Sequence, residues 1–137
     1  MPVESDAELR ELLGLRTVAV VGCSATPGKD AHEIPKYLEE RGYDVIPVNP
    51  NAEEVFGKRA YDSLSAVEEG IDLVNVFRPS EEVSGIVDEA LERTNLTAIW
   101  LQLGITDPDA TARAERAGLH VVADRCMKVE HQRLVAP

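Results

Sequence analysis

The stretch Thr17 to Asn51, TVAVVGCSATPGKDAHEIPKYLEERGYDVIPVNPN, decides the fold of this chain. Its first five residues, Thr17–Val21, are β-branched or small and apolar without polar alternation, the pattern of a strand buried on both faces. Gly22-Cys23-Ser24 ends the run, and a loop of small residues closes on Pro27-Gly28-Lys29. Ile34, Tyr37 and Leu38 then recur at helical spacing, and Gly42 stands where a helix C-cap belongs. A second strand, Tyr43–Val48, stops at Asn49-Pro50. Strand, tight loop, helix and strand form a unit whose loop leaves backbone N–H groups unpaired at a helix N-terminus. Such an arrangement suits phosphate.

Outward from this unit the same alternation continues. Ser5 and Glu8 fit a capping box at the start of a short helix with Leu9, Leu12 and Leu13 as its apolar stripe. Residues 51–61 read as a loop in which Val55-Phe56-Gly57 tucks an apolar pair against the sheet, and 65–69 as a short helical turn. Residues 73–77 are a third strand, ended by Arg78-Pro79-Ser80. Ser80 is expected to cap the clearest helix, in which Val83, Ile86, Val87, Ala90 and Leu91 follow the i, i+3, i+4, i+7, i+8 rule, with Glu81 and Glu82 in the first turn. Ala98–Leu101 is a fourth strand, Asp107-Pro108 opens an alanine-lined helix ending near Gly118, and 120–124 is the fifth strand. The expected fold is α/β, a Rossmann-like doubly wound, five-stranded, mostly parallel sheet with helices on both faces, as one domain over residues 1–137.

Composition bounds the function. A chain of 137 residues can bury roughly 68–70% of its unfolded surface in one core. No apolar run approaches the ~20 residues of a membrane span, and the polar, acidic start Met1 to Arg10 lacks a signal core. Two cysteines, Cys23 and Cys126, make no disulfide framework, so a reduced, cytoplasmic setting is expected. The net charge of −11, with 25 acids against 14 bases, disfavours nucleic acid as a partner. The acids are spread along the chain as a solvated shell, which suits a salt-rich, halophile-like cytoplasm but also an ordinary acidic protein.

In doubly wound sheets, ligands bind beyond the carboxyl ends of the strands, where the strand order reverses. The residues to watch therefore follow each strand: Gly22 to Lys29, Asn49-Pro50, Phe77-Arg78-Pro79, Gln102 to Ile105 and Asp124 to Lys128. Gly22 allows close backbone approach to a phosphate or else only a tight turn; Ser24 adds a hydroxyl. NAD is a poor candidate. Its fingerprint asks for Gly-x-Gly-x-x-Gly and an acid at the end of strand two, whereas this loop carries Ser24 and a misplaced Gly28, and strand two ends in Asn49-Pro50.

The blocks VAVVGCSATPGK, YLEERGYDVIPVNPN, DLVNVFRPSEEV, AIWLQLGI and HVVADRCMKVEH, in this order across about residues 15–131, resemble the CoA-binding protein family. These are small single-domain relatives of the CoA-binding domain of the succinyl-CoA synthetase α subunit. The resemblance implies coenzyme A or an acyl-CoA as ligand. By it, Gly22, Ser24, Ala25 and Thr26, with Pro27 and Lys29, line the loop receiving the CoA phosphates. Val48, Asn49 and Pro50 flank the nucleotide end. Phe77, Arg78 and Pro79 contact the adenine and the 3′-phosphate ribose, and Gln102, Gly104 and Ile105 close the far side. Lys29 and Arg78 also read independently as lone cations at strand ends, with an Arg78 pair to Glu81 or Glu82 as the alternative. In the larger synthetases the phosphorylated histidine and the nucleotide-grasp portion lie in other domains, so catalysis is not expected of this chain alone, and a protein partner is conceivable.

Other constellations carry less. Arg125 and Lys128 near Cys126 favour a thiolate, which would permit a mixed disulfide with a thiol ligand, against a buried, inert cysteine. Cys126, Glu130 and His131 match no familiar metal spacing, so no metal is expected. Ser24, His32 and Asp30 make a catalytic set only on paper; His32 is either a plain helix residue or a phosphate donor. The alternatives to CoA binding are a redox enzyme using NAD(P) or the CoA thiol with Cys126, and an interaction module with a vestigial loop.

Overall fold

A computed structural model of the chain describes residues 2–136. In chain order the elements are α1 (Asp6–Leu13), β1 (Thr17–Val21), α2 (Asp30–Glu40), β2 (Asp44–Val48), a short pair β3 (Glu54–Val55) and β4 (Lys58–Arg59), β5 (Leu73–Val76), α3 (Val83–Leu91), β6 (Ala98–Leu101), α4 (Pro108–Arg116), β7 (His120–Val122) and α5 (Met127–Leu134). Single 3-10 turns occupy Leu64–Ala66 and Ser80–Glu82. The main sheet runs β2-β1-β5-β6-β7, every neighbouring pair parallel. From β1 the chain steps outward to β2 and then returns to the other side of β1 as β5, so the strand order reverses between β1 and β5.

Why the strands lack polar alternation is visible in the core. Ala19 and Val21, Ile46 and Val48, Val74 and Val76, Ile99 and Leu101 face one layer, completed by Val83, Ile86, Val87 and Ala90 of α3 and Ala110 and Ala114 of α4. The intervening residues, Val18 and Val20, Val45, Leu73, Ala98 and Trp100, face the other, with Leu9, Leu12 and Leu13 of α1, Tyr37 and Leu38 of α2 and Met127 of α5. Both faces of the sheet are covered, as the continuous apolar runs require. No helix among the described residues is long and apolar enough to cross a membrane.

Local signals are realised where their partners are local. Ser5 Oγ accepts the Glu8 N–H at 3.2 Å, the N-cap half of a capping box, while the Glu8 carboxylate returns to the Ser5 hydroxyl at 3.0 Å rather than to its backbone N–H. Asp107 Oδ1 accepts the Ala110 N–H at 3.0 Å with Pro108 in the first turn. Pro47 sits in β2, an edge strand, where a missing N–H is tolerated.

Two expectations are corrected and one element is added. Ser80 does not cap α3: the helix starts at Val83 after the Ser80–Glu82 turn, and Ser80 Oγ instead accepts the Thr106 N–H at 3.1 Å. Residues 51–61 are not all loop. They contain the β3–β4 hairpin, turned by Phe56 and Gly57, both at positive φ (55° and 73°) as a two-residue primed turn demands. Lys58 Nζ ties this hairpin down, reaching Glu39 at 2.9 Å, Asp44 Oδ1 at 3.2 Å and the Val45 carbonyl at 2.9 Å. Finally, the residues after the fifth strand form a fifth helix, α5, that the sequence pattern does not announce.

Candidate functional site

The strand reversal places the end of β1 between the ends of β2 and β5. Pairing continues one residue past β1: the Gly22 N–H donates to the Val48 carbonyl at 2.9 Å and the Phe77 N–H to the Val21 carbonyl at 2.8 Å. The Gly22 amide is thus committed to the sheet rather than free for a ligand. Its φ of +91° and its surroundings both call for glycine, since a Cβ would stand 2.9 Å from Arg78 Cδ and 3.3 Å from Arg78 Cγ and the Phe77 carbonyl carbon. The missing side chain leaves room for the stem of Arg78.

Five bonds brace the loop from Cys23 to Lys29. Pro35 inside α2 has no N–H to give the carbonyl of Ala31 one turn earlier, and the Ser24 N–H takes that carbonyl at 2.8 Å instead. Asn49 Nδ2 donates to the Cys23 carbonyl at 2.9 Å, while its Oδ1 accepts the Asn51 N–H at 2.8 Å. His32 Nδ1 lies 2.7 Å from the Ser24 carbonyl, an acceptor, so Nδ1 carries the proton. Glu33 Oε2 accepts the Gly28 N–H at 3.1 Å. Ser24 Oγ accepts the Thr26 N–H at 3.0 Å. The Ser24, His32, Asp30 set has no triad geometry: the imidazole meets the main chain of Ser24, not its hydroxyl. Among the described residues the amides of Ala25, Lys29, Asp30 and Ala31 have no hydrogen-bond partner, nor does the Lys29 ammonium have an ion-pair partner. They collect at the N-terminus of α2, the positive end of its dipole.

A cleft of about 460 Å³ opens here. It brings together Gly22, Ser24, Lys29, Val48, Asn49, Pro50, Phe77 and Arg78 from the sequence reading. Ala25, Thr26 and Pro27 are exposed on the outer part of the loop and Pro79 is exposed beyond Arg78; none of the four lines the cleft. Gln102, Gly104 and Ile105 lie off it, past β6. Gln102 is buried with Oε1 accepting the Met127 N–H at 3.4 Å; the Gly104 N–H donates to Asp124 Oδ1 at 2.6 Å; Ile105 packs on the core. The cleft also has walls that the sequence reading missed: Asp62, Ser63 and Leu64, and Glu82, Ile86 and Glu89. Ile86 was visible as part of the α3 stripe but not as a site residue, because a stripe facing a core and one facing a cleft look alike in sequence.

The charges differ from a pair of lone cations. Arg78 Nη2 lies 2.6 Å from Glu82 Oε2 and Nε 3.3 Å from Oε1, with both side chains about half exposed. The alternative raised for Arg78 is the one observed in the free protein. Cys23 is fully buried, and burial, with the nearby charge of Glu39, pushes its thiol up to about 12, which makes it inert. Cys126 is half-buried at the N-cap of α5. Its neighbours in the sequence are engaged elsewhere. Glu130, buried, joins Arg125 at 2.6 Å and Arg133 at 2.8 Å, and His131 Nδ1 meets the Tyr37 hydroxyl at 2.8 Å. Burial and then the Arg41 charge hold His131 below the usual imidazole range. No group of three possible metal ligands gathers among the described residues.

Comparison with known proteins agrees with this architecture. The family model described as the CoA binding domain matches residues 16–132. The chain is 39% identical over 128 residues to the uncharacterized protein YneT of Bacillus subtilis (strain 168), covering 93% of this chain and 94% of that one. It is 30% identical over 102 residues to the ADP-forming acetate–CoA ligase of Methanocaldococcus jannaschii, covering 74% of this chain but 14% of the ligase. A solved structure, a hypothetical protein from Pyrococcus horikoshii OT3, superimposes with a TM-score of 0.92 at 37% identity, covering 98% of this chain and 96% of that one. With the family model spanning nearly the whole sheet and the cleft at its strand reversal, this chain belongs to the CoA binding domain family.

Proposed function

We propose that this protein binds coenzyme A or an acyl-CoA in the cleft beyond β1, β2 and β5 and performs no catalysis by itself. One observation carries the reading. Unpartnered amides at the N-terminus of an eleven-residue helix, α2, and the unpaired Lys29 ammonium converge on a cleft of about 460 Å³. That volume falls within the ~300–1,000 Å³ of small-molecule sites. An anionic ligand satisfies those donors, and a CoA pyrophosphate is the anion that the family favours. The Lys29 ammonium and the free amides of Lys29 and Ala31 would hold it, Phe77 and Val48 would offer apolar surface to the nucleotide, and Arg78 would meet the 3′-phosphate. Asn49 argues against NAD: it stands where the dinucleotide fingerprint has its acid, and its side chain is committed to the Cys23 carbonyl and the Asn51 amide.

The test is thermal unfolding with CoA and with NAD. At ~100 times its dissociation constant a ligand adds about 2.7 kcal/mol, a shift of several degrees for a domain of this size. CoA should raise the melting temperature and NAD should not. Equal shifts sink the assignment, and no shift with either favours a module whose loop no longer holds a ligand. Mass spectrometry of what the denatured protein releases would identify the acyl group, if one is carried.

A further inference from the structure

The guanidinium that the cleft offers to a ligand is already occupied. Arg78 Nη2 and Nε both reach the Glu82 carboxylate, one helical turn on, at 2.6 and 3.3 Å. The stem of Arg78 lies over Gly22, with Cδ 2.9 Å from where a Cβ would stand, so the side chain is fixed at both ends: packed on the glycine and paired at the tip. Glu82 itself lines the cleft. A ligand phosphate that takes this Nε–Nη2 edge of Arg78 must replace a carboxylate, and what binding gains there is the difference between two ion pairs rather than the whole of one.

We propose that Glu82 is a built-in competitor for the ligand's phosphate, holding Arg78 across Gly22 in the free protein and surrendering it only to a phosphate monoester. This rests on the CoA-binding reading above. The chemistry of the exchange sets the selectivity. A monoester carries close to two negative charges and three acceptor oxygens near neutral pH, and outcompetes one carboxylate. A pyrophosphate oxygen with a single charge is only level with it. The released Glu82 carboxylate is 48% exposed, so it returns to water without being stranded. Glu82 is thus a positioning residue: it touches Arg78, and through Arg78 it tunes which phosphates are held and how tightly.

The experiment is calorimetric titration of CoA and dephospho-CoA into the wild type, Glu82→Gln, Arg78→Ala and the double variant, with circular dichroism to verify the fold. Exposed i, i+4 ion pairs contribute little, so Glu82→Gln should tighten CoA by about two- to fivefold. Dephospho-CoA should bind Glu82→Gln as it binds the wild type, because it brings nothing to the freed Arg78. In the Arg78→Ala background, Glu82→Gln should have no effect on either ligand. A general repulsion of anions by Glu82 predicts otherwise: equal tightening of both ligands, persisting without Arg78. That result, or unchanged CoA affinity in Glu82→Gln, overturns the proposal while leaving CoA binding in place. If neither the wild type nor Glu82→Gln binds either ligand, the CoA-binding reading falls and takes this inference with it.

Discussion

Replacing Gly22 with alanine should destabilise the protein by about 2–3 kcal/mol, most of it backbone strain. The φ of +91° at this residue lies well beyond the narrow left-handed region that L side chains tolerate, which costs of order 1–3 kcal/mol. The new Cβ would also stand 2.9 Å from Arg78 Cδ and 3.3 Å from the Phe77 carbonyl carbon. Arg78 can swing aside, losing its exposed pair with Glu82 at a cost of at most about 1 kcal/mol. The Phe77 backbone cannot, because its N–H is bonded to the Val21 carbonyl at 2.8 Å. For a domain of this length each kcal/mol moves the melting temperature by roughly 3–5 °C, so a fall of about 6–15 °C is expected in thermal unfolding followed by circular dichroism. The two contributions separate in an Arg78→Ala background: the side-chain collision is gone there and the strained φ remains, so Gly22→Ala should still cost more than half of its original effect. A melting temperature within 2 °C of the wild type would refute the reasoning, since neither strain nor collision could then be present. Gly22→Val, which adds branched bulk at the cleft floor, should in addition abolish CoA binding while circular dichroism remains native; undiminished affinity would move the phosphate site elsewhere.

Three further outcomes follow from other parts of the molecule. Glu130→Gln should cost about 1–2 kcal/mol at pH 7, less than a fully buried charge-assisted pair because Arg125 and Arg133 are a third or more exposed. Glu130 is held below the usual carboxylate range: burial works against this, and its bonds to Arg133 and Arg125 outweigh burial. Its stabilisation is therefore present above the unfolded value of about 4.3 and lost as pH falls through the lower folded value, so the gap between variant and wild type should narrow progressively as melts are taken to more acid pH below about 4.3; a gap that stays constant or widens on acidification contradicts the assignment. Asn75 is fully buried with Nδ2 on the Trp100 carbonyl at 3.2 Å and Oδ1 without a partner, so Asn75→Leu should leave the melting temperature unchanged or raise it. A drop of more than about 5 °C would reveal a partner for that oxygen. With a net charge of −11, the ligand-free protein should melt higher in 2 M potassium chloride than at low salt, because at 1 M the Debye length is already ~3 Å; a flat or falling melting temperature would argue against a salt-adapted surface.

How far the sequence reaches depends on how far apart the interacting residues are. The strand positions, the N-cap at Ser5, and the Asp107-Pro108 helix start depend on side chains within a few residues of one another, and all were legible. The strand-end rule likewise placed Gly22, Lys29, Asn49 and Arg78 in one cleft without knowledge of any distance. Helix α5 was not legible, because its buried face is Met127, Glu130 and His131, two of them polar. They are buried by partners far away in the chain, Tyr37 for His131 and the Arg133–Asp6 pair that ties α5 to α1. No periodicity of hydrophobicity announces a helix whose inner face is made of satisfied charges and an imidazole.

By itself the sequence determined the layer order of the fold and the end of the sheet at which the cleft opens, since apolar period and turn chemistry act through the local backbone. Only the tertiary structure decided which donors at that end remain free. Pro35 turns the Ala31 carbonyl over to the Ser24 amide, Val48 takes the Gly22 amide, and Glu82 takes Arg78, leaving Lys29 and the first amides of α2 for a ligand. Each of these assignments depends on which acceptor lies within about 3 Å of a given donor, a distance set by the docking of α2, β2 and β5 around β1.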